Sequence, residues 1–403
     1  MVDEIVTRER IDAARRAGAA VVAHTPTLDS VALSARAGGT IVLKAENLQR
    51  TGSFKIRGSM AKLSELGASA AAGVVAGSAG NHAQALALAA QVRGVPCEIF
   101  VPNGASISKT EATRGYGATV TMVGDSVDAA VAAAHDRAAA TGMHFCSPFD
   151  DPAIIAGQAT VGLELVEDIV DLRRVFVPLG GGGLASGVAI AVKHHDPTIK
   201  VIGIQVAACA PYANQPPGDG AITTLADGIA VKRRGAVTGP LIERWLDDIV
   251  TVDEDEVADA MMFLLDRAKL CVEGAGAVGV AALMTGKIPP ARTGTTCVVL
   301  SGGNVDLGVL PGLLRRHETR AGRRLILFAR ISDRPGGLAR LLTVFAESGA
   351  NLIEVEHVRD GVSLHARETG VQAVLEVRDR HHADAVIAAA EAAGYDVHEG
   401  MRS

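Results

Sequence analysis

Aromatic residues are scarce in this chain. Phe, Tyr and Trp together make up 3% of the 403 residues, and only one of them is a tryptophan. Because 48% of the residues are nevertheless hydrophobic, the core has to be built mainly from Ala, Val, Leu and Ile side chains. The 45 glycines then provide tight turns and places where backbones approach closely.

The chain also lacks the marks of a secreted, membrane-bound or nucleic-acid-binding protein. No apolar run reaches the roughly 20 residues of a membrane span, and the charged residues 1–16 do not resemble a signal peptide. A net charge of −6 argues against a large nucleic-acid surface. The 5 cysteines are scattered, and no two have the spacing of metal ligands: Cys97, Cys146, Cys209, Cys271 and Cys297. We therefore expect a reduced, cytoplasmic protein with no metal site.

The length of the chain and the order of its predicted elements indicate more than one domain. An N-terminal helix starts near Thr7, and a short hairpin with Gly38-Gly39 as its turn follows it. From residue 73 onward, buried strands alternate with helices of about 10 to 15 residues, which is typical of crossover units on a parallel sheet. The fold class is therefore α/β, and residues 58–149 could form a small subdomain nested inside a larger one.

The pattern restarts after a basic stretch, residues 315–324. This stretch suits a linker, although the charged end of a helix would look the same. From residue 325, strands and helices follow in the order βαββαβ, which is the ferredoxin-like arrangement. We expect a first domain in residues 1–318, a linker in 319–324 and a separate C-terminal domain in 325–403.

One lysine, Lys55, lies at the predicted start of a helix in the stretch GSFKIRG, residues 52–58. Ser53 supplies a cap before it, and apolar residues recur at helical spacing after it. A lysine held beside the ring of Phe54 could form a Schiff base with an aldehyde cofactor, provided that its pKa falls from about 10.4. The ordinary alternative is an exposed lysine at a helix start, and this stretch alone does not separate the two.

Three further stretches place small residues directly after a predicted strand. GSAGNHAQ (77–84) opens a helix whose first amides could bind a carboxylate, with Asn81 beside them. PLGGGGLASG (178–187) could bind phosphate through its backbone, since neither a Rossmann GxGxxG nor a Walker lysine fits it. LSGGN (300–304) ends a strand, and Ser301 there could bond a ring nitrogen. Each stretch taken alone could be an ordinary turn or helix cap.

Taken together, these stretches offer an amine, an anion-binding loop, a phosphate-binding loop and a hydroxyl at the junctions of one α/β sheet. Pyridoxal phosphate needs each of these: an amine for its aldehyde, donors for its phosphate and a partner for its pyridine nitrogen. The combination therefore predicts a site for pyridoxal 5'-phosphate.

The motifs SFKIRG, SAGNHAQ, GGGGL, EGAGA and SGGN occur in this order along the chain. Over residues 5–318 the sequence resembles the threonine and serine dehydratases of the tryptophan-synthase-β superfamily, which are fold type II pyridoxal-phosphate enzymes. The tail, with DRPGGL at 333–338, resembles an ACT domain. Together the two parts resemble the short-form threonine ammonia-lyases with one ACT domain. From this resemblance we expect a homo-oligomer (dimer or tetramer) and an amino-acid effector such as isoleucine or valine. A C-terminal module that only dimerises is the alternative.

The resemblance also implies roles for individual residues. Lys55 would bond covalently to the cofactor and serve as the catalytic base. The other cofactor-binding positions would be Phe54 on the ring, Asn81 at the ring hydroxyl, Glu273 at the ring edge, Ser301 at the pyridine nitrogen, and Gly180, Gly181, Gly182, Gly183 and Leu184 at the phosphate. The substrate carboxylate would be held by Ser53, Ser78, Ala79, Gly80, Asn81 and His82.

Three departures from the wider superfamily refine this interpretation. Ala79 stands where related serine racemases have a serine that acts as acid and base on the opposite face, so racemisation should be weak. Ile56 stands where threonine and cysteine synthases usually have aspartate, which favours the dehydratase branch. Gln205 stands where several relatives have a glutamate beside a divalent metal, which again argues against a metal here.

The reaction implied is β-elimination of L-threonine to 2-oxobutanoate and ammonia, in isoleucine biosynthesis or threonine catabolism. Lys55 would remove the Cα proton as general base. L-Serine and 3-hydroxyaspartate stay open as alternative substrates. A non-enzymatic alternative is an amino-acid sensor with an inactive catalytic domain. The intact set of Lys55, Asn81 and Ser301 argues against this alternative.

Overall fold

The computed structural model of the chain describes residues 5–214, 222–359 and 364–400. The chain divides into two compact units, Met1–Asp306 and Leu307–Ser403. The division falls before the helix Leu310–Arg320, whose last turns are formed by part of the basic stretch. The predicted boundaries at residues 318 and 325 stay predictions.

The first unit consists of helices and strands that alternate along most of its length. Its helices are α1 (Arg8–Gly18), α2 (Val31–Ala37), α3 (Lys55–Leu66), α4 (Asn81–Arg93), α5 (Ile107–Gly115), α6 (Val127–Thr141), α7 (Pro152–Asp168), α8 (Gly183–His195), α9 (Thr238–Trp245), α10 (Glu254–Phe263) and α11 (Gly274–Met284). Its strands are β1 (Thr27–Asp29), β2 (Thr40–Lys44), β3 (Val74–Gly77), β4 (Cys97–Val101), β5 (Thr119–Met122), β6 (His144–Phe145), β7 (Leu172–Pro178), β8 (Lys200–Val206), β9 (Asp248–Val252) and β10 (Thr295–Val299).

These strands form two sheets. Within the described residues, the larger sheet has the order β1-β2-β10-β7-β8-β9 and the smaller one the order β5-β4-β3-β6. All neighbours run parallel except β1, which pairs antiparallel with β2. Aliphatic side chains of β7, β8 and β10 pack against α7 and α8, and alanines of α4 pack against the smaller sheet. The predicted α/β class with two parallel-sheet subdomains is confirmed.

One predicted element is wrong. The residues between β1 and β2 form the helix α2, not a two-residue hairpin turn. The sequence VALSARA is rich in helix-forming residues, and Leu33 anchors the helix in the interior. Gly38 ends α2 in a left-handed conformation with φ of +80°, so it caps a helix where the sequence suggested a hairpin turn.

The second unit is built from α12 (Leu310–Arg320), β11 (Arg324–Ser332), α13 (Gly337–Glu347), β12 (Asn351–Val358), β13 (Glu368–Glu376), α14 (Arg380–Ala392) and β14 (Asp396–Glu399). Its antiparallel sheet has the order β12-β13-β11-β14. The side chains of α13 and α14 pack with this sheet in one apolar core, which includes Leu341, Phe345 and Val386. The predicted ferredoxin-like βαββαβ arrangement is confirmed.

A cluster of charged side chains is buried beneath the first turn of α3. Arg57 donates to both carboxylate oxygens of Glu46, at 2.7 and 2.8 Å, and to both of Glu164, at 2.6 and 2.9 Å. The amine of Lys44 lies 2.7 Å from Glu164. Since all four side chains are buried and paired, the cluster anchors the helix turn that begins with Lys55.

We expect Arg57→Met to lower the free energy of unfolding by about 3 to 5 kcal/mol, because the carboxylates of Glu46 and Glu164 would stay buried without their partner. Arg15→Met is the matched control. Arg15 pairs with Glu167 at the surface, so its loss should cost about 1 kcal/mol or less. Urea denaturation followed by circular dichroism measures both variants. Equal losses would contradict the prediction.

Candidate active site

The three glycine-containing stretches follow the carboxyl ends of three parallel strands. Residues 78–80 join β3 to α4, residues 179–182 join β7 to α8, and residues 300–304 follow β10. Ligands of open parallel sheets bind beyond the carboxyl ends of the strands. The predicted strand-loop-helix context of the first two stretches is therefore present, and the third lies at the same kind of position.

The lysine-bearing loop is attached to the stretch after β10. The amide of Phe54 donates to the carbonyl of Ser301 at 3.1 Å, and the amide of Gly303 donates to the carbonyl of Gly52 at 2.8 Å. An antiparallel bridge joins Ser53 to Gly302. Residues far apart in the chain are thereby held together by backbone contacts, and Lys55 begins α3 directly beside them.

The side-chain amine of Lys55 is enclosed. It donates to the carbonyl of Pro148 at 2.8 Å and lies 5.2 Å from the centre of the Phe54 ring. Burial lowers the pKa of this amine to about 8, although the nearby Glu273 carboxyl acts in the opposite direction. The condition that the sequence analysis set for a reactive lysine, a lowered pKa, is met by burial rather than by a neighbouring cation.

A chain of polar side chains crosses from the smaller sheet to the larger one. The amide nitrogen of Asn81, the first residue of α4, donates to Glu273 at 2.7 Å. Asn304 donates to the amide oxygen of Asn81 at 2.6 Å and to the carbonyl of Thr51 at 2.7 Å. The structure thus brings together two predicted site residues and Asn304, for which the LSGGN motif predicted no role.

Glu273 is buried, and its surroundings oppose its ionisation. Burial and the charge of Asp227 raise the pKa of its carboxyl to about 7, against the effects of Lys109, Asn81 and Lys55. A carboxyl with this pKa is partly protonated near neutral pH. This behaviour is common for residues in functional sites.

The glycine run is backed by side chains of other elements. Gly182 caps α8 with φ of +97°, and the carbonyl of Gly181 accepts from the hydroxyls of Thr238, at 2.6 Å, and Tyr212, at 3.3 Å. The first amides of a helix have no intrahelical acceptor, so those at the start of α8 can bind an anion. A side chain on Gly181 would meet the ring of Phe149, with carbon atoms 2.3 Å apart.

Asp150 holds the segment that backs the glycine run. Its carboxylate accepts from the amides of residues 236, 237 and 238 at 2.8 to 2.9 Å, at the start of α9. Sequence reasoning missed Asp150, Thr238 and Tyr212. The amides that Asp150 binds lie 86 to 88 positions further along the chain, and no local motif marks this pairing.

The predicted substrate-binding residues lie on the lysine-bearing loop and around the start of α4. Ser78, Ala79 and Gly80 precede α4, and the amide of Gly80 donates weakly to the Ser78 hydroxyl at 3.4 Å. The imidazole of His82 lies 2.9 Å from the carbonyl of Cys146, so a ligand would meet its backbone amide instead. Burial, reinforced by the charge of Lys55, lowers the pKa of this imidazole to about 4 and keeps it neutral.

Ser53 is the clearest sign of a ligand on this side of the site. Its hydroxyl is fully buried and makes no hydrogen bond within the described part of the chain. A buried hydroxyl without a partner costs about 1 to 3 kcal/mol, and a ligand that accepts a hydrogen bond from it would remove that cost. It belongs to the loop that carries Lys55.

The side chain of Gln205, near the end of β8, is held by three hydrogen bonds. Its amide nitrogen donates to the carbonyl of Leu179 at 3.2 Å, and its oxygen accepts from the amides of Tyr212 and Ala213, both at 3.1 Å. The side chain therefore links the residue before the glycine run to the segment that carries Tyr212. A carboxylate could not donate to Leu179, so this position is built for an amide.

Neither a metal-binding cluster nor a membrane-spanning helix occurs in the described part of the chain. In residues 5–214, 222–359 and 364–400, no cluster of three or more His, Cys, Asp or Glu side chains could hold a metal ion. Over the same ranges, no helix is both long and apolar enough to cross a membrane. The cytoplasmic location expected from the sequence stays a prediction.

The chain is similar to known enzymes over nearly its whole length. The family model described as pyridoxal-phosphate dependent enzyme matches residues 3–302, and that of the ACT domain matches residues 325–394. An L-threonine ammonia-lyase of Thermotoga maritima is 42% identical over 405 aligned positions, covering 98% of this chain and 99% of that protein. A solved threonine deaminase from T.th. has 36% identity and a TM-score of 0.69, covering 75% of this chain and 99% of its own. A maize serine racemase has 32% identity and a TM-score of 0.72, covering 78% and 98%.

Proposed function

Because the chain belongs to the family of pyridoxal-phosphate dependent enzymes and carries a C-terminal ACT domain, we propose that it catalyses the β-elimination of L-threonine. The products are 2-oxobutanoate and ammonia. The observation that carries this conclusion is the 42% identity to an L-threonine ammonia-lyase over 98% of the chain. The enclosed amine of Lys55, which begins α3 beside the stretch after β10, supports the chemistry.

The residues of the site fit pyridoxal phosphate. Lys55 would bond to its aldehyde, the amides from Gly180 to Leu184 would hold its phosphate, and Ser301 would face its pyridine nitrogen. Phe54 would pack on the ring, Asn81 would donate to the ring hydroxyl, and Glu273 would lie at the ring edge. When bound, the cofactor supplies an aldehyde for the substrate amine and a ring that withdraws electrons from Cα. The unpartnered hydroxyl of Ser53 supports a ligand in this place.

The side chains and backbone amides of the protein orient the substrate and take up its proton. The amine of Lys55 takes the proton from Cα of threonine, and a pKa near 8 leaves much of this amine neutral at mildly alkaline pH. The amides of residues 78–80 and the start of α4 orient the substrate carboxylate. Ser53 donates to the same carboxylate. These positions hold Cα in reach of Lys55, which is the main requirement for proton transfer.

A panel of hydroxy-amino acids tests the substrate. We expect the highest kcat/KM for L-threonine, with L-serine and 3-hydroxyaspartate below it, when release of the 2-oxoacid is measured. Ala79 has no proton to give on the opposite face, so racemisation of L-serine should be slower than its elimination by about 10² or more. Ala79→Ser should raise racemisation and leave elimination of threonine largely in place. Release of no 2-oxoacid from any of the three would favour the amino-acid sensor with an inactive catalytic domain.

We propose that the ACT domain binds isoleucine or valine at the loop between β11 and α13. Gly336 caps α13, and its first amides face the loop, so they can receive an amino-acid carboxylate. Arg359 fixes the loop through two bonds to Asp333, at 3.0 and 3.1 Å. An effector that binds the two states of an enzyme unequally shifts their populations.

Gly337→Ala tests this site in the full-length chain. A Cβ at this position would lie 2.3 Å from the carbonyl of Ser332, so the loop has to move and effector binding should weaken at least tenfold by calorimetry. The response of threonine turnover to isoleucine or valine should weaken in parallel. Gly312→Ala on α12 is the matched control, because its Cβ would meet open space. An unchanged effector response in Gly337→Ala would remove the site from this loop.

We further propose that the protein is a homo-oligomer, a dimer or a tetramer. In support, nearly all residues of the edge strand β12 are exposed, and Leu352, Ile353 and Val355 among them are large and apolar. An open apolar edge strand favours pairing with another chain. Light scattering on the purified protein measures the subunit number.

A further inference from the structure

A second link between the two sheets lies outside the contact of Asn81 with Glu273. Lys109 on α5, which follows β4 of the smaller sheet, pairs with Asp227 at 3.1 Å. Asp227 begins a 3₁₀ turn, Asp227–Ile229, that packs on α11. The side chain of Asp227 is 61% exposed and that of Lys109 15%, whereas Glu273 is buried. The ion pair is therefore more exposed to solvent than Glu273 is.

The turn that carries Asp227 touches two predicted cofactor positions. A Cβ on Gly228 would lie 3.5 Å from a carboxyl oxygen of Glu273. A Cβ on Gly180, at the glycine run, would lie 2.8 Å from the Cα of Ile229. A shift of this turn would therefore displace both Glu273, at the predicted ring edge, and Gly180, at the predicted phosphate site. The only described side chain that is ion-paired with the turn is Lys109, from the other sheet.

The charged and hydrogen-bonding groups around Glu273 come from four elements. Asp227 raises the pKa of its carboxyl, whereas Lys109 on α5, Asn81 on α4 and Lys55 on α3 lower it. Asp227 and Lys109 act in opposite directions even though they form one ion pair. Removing either one breaks the same link, but the two removals change the charge near Glu273 with opposite sign.

We propose that Lys109 and Asp227 are positioning residues for the reaction: their ion pair holds the turn 227–229 against Glu273 and Gly180 and places one charge of each sign near Glu273. This inference rests on the function proposed above. It gives the pair two separable effects, one mechanical and one electrostatic. The mechanical effect requires the link, and the electrostatic effect depends on the sign of each charge.

The experiment uses the holoenzyme with Asp227→Asn, Lys109→Gln and the double variant. In the pH profile of kcat/KM and in the pH titration of the cofactor absorbance, Asp227→Asn should lower the midpoint assigned to Glu273 by about 0.5 to 1 unit. Lys109→Gln should raise it by a similar amount, and the double variant should return close to the wild type. Glu273→Gln identifies the midpoint, because it should remove that transition.

Cofactor affinity reports the mechanical effect. In all three variants the link is lost, so the cofactor dissociation constant should rise by roughly 1.5- to 5-fold, the range for a partly exposed ion pair. Glu111→Gln and Arg114→Gln are the matched controls, because they remove the two charges of an ion pair on the same helix α5. They should change neither the midpoint nor the affinity.

Midpoints that move in the same direction in both single variants, or that stay in place, would overturn the electrostatic role. Unchanged cofactor affinity in all three variants would overturn the mechanical role. The absorbance titration needs no substrate, so it tests the inference even if the panel of hydroxy-amino acids refuted threonine as substrate.

Discussion

Lys55→Ala should abolish turnover and the visible absorbance that the cofactor shows when it is bonded to a lysine. The substitution removes both the group that holds the aldehyde and the group that takes the Cα proton. A general base alone contributes about 10² to 10⁴ in rate, so the loss of both roles should exceed that factor. Absorbance spectra and 2-oxoacid release from L-threonine measure the two effects on the same preparation.

Lys62→Ala is the matched control for this variant. Lys62 lies seven residues further along the same helix and pairs with Asp151 at 2.6 Å. Its replacement should leave the absorbance in place. Borohydride reduction followed by peptide mass analysis should place the cofactor on Lys55 in the wild type. A label on Lys62 or on another side chain would contradict the assignment.

The lowered pKa of Lys55 has its own consequence for loading the apoenzyme. Only the neutral amine attacks an aldehyde, and burial moves its pKa from 10.5 to about 8. At pH 7.5 roughly a quarter of the amine is then neutral, where an exposed lysine would have about one part in a thousand. The rate of cofactor uptake should therefore rise with pH and level off above about 8. A rate that keeps rising to pH 10 would show an exposed, ordinary lysine.

Local signals in the sequence were enough to locate the lysine and the three loops. The helix predicted after the loop begins at Lys55, and each small-residue stretch follows a strand end, as its composition indicated. The start of α7 at Pro152 carries a sequence signal as well. The N-cap of α7 can be recognised in the sequence, because Asp151 accepts from the amides of the first turn and Pro152 follows Asp151 directly. That start could have been found from the sequence.

The parts of the site that were missed depend on contacts between distant segments. Asn304 bonds to Asn81, 223 positions away, and Lys109 bonds to Asp227, 118 positions away. No spacing rule relates residues on different sheets, so their pairing appears only once the two sheets are in place. The error at α2 had another cause. Gly38-Gly39 was interpreted by its turn preference, while the helix-forming residues before it were not weighed.

Gly181→Ala should weaken cofactor binding by about 10- to 100-fold, because hydrogen bonds to a charged phosphate contribute about 1.5 to 3 kcal/mol. The new Cβ would lie 2.3 Å from carbon atoms of the Phe149 ring. This ring cannot simply retreat, since the backbone of Phe149 also packs on Gly183 and the next residue, Asp150, is bound to three amides. The glycine run itself has to move, and its amides lose their alignment.

Fluorescence titration of the apo-variant with pyridoxal phosphate measures this loss directly, and the stabilisation of the folded state by the cofactor should fall with it. Gly115→Ala is the matched control, because this glycine ends α5 and a Cβ there would meet open space. It should leave the affinity unchanged. Lys55→Ala and Gly181→Ala should then have different effects. The first loses the covalent bond to the cofactor but keeps the phosphate contacts, and the second keeps the amine but binds the phosphate more weakly. If Gly181→Ala bound the cofactor as tightly as the wild type, the glycine run would have to be a packing feature, and the phosphate would need another place beside Lys55.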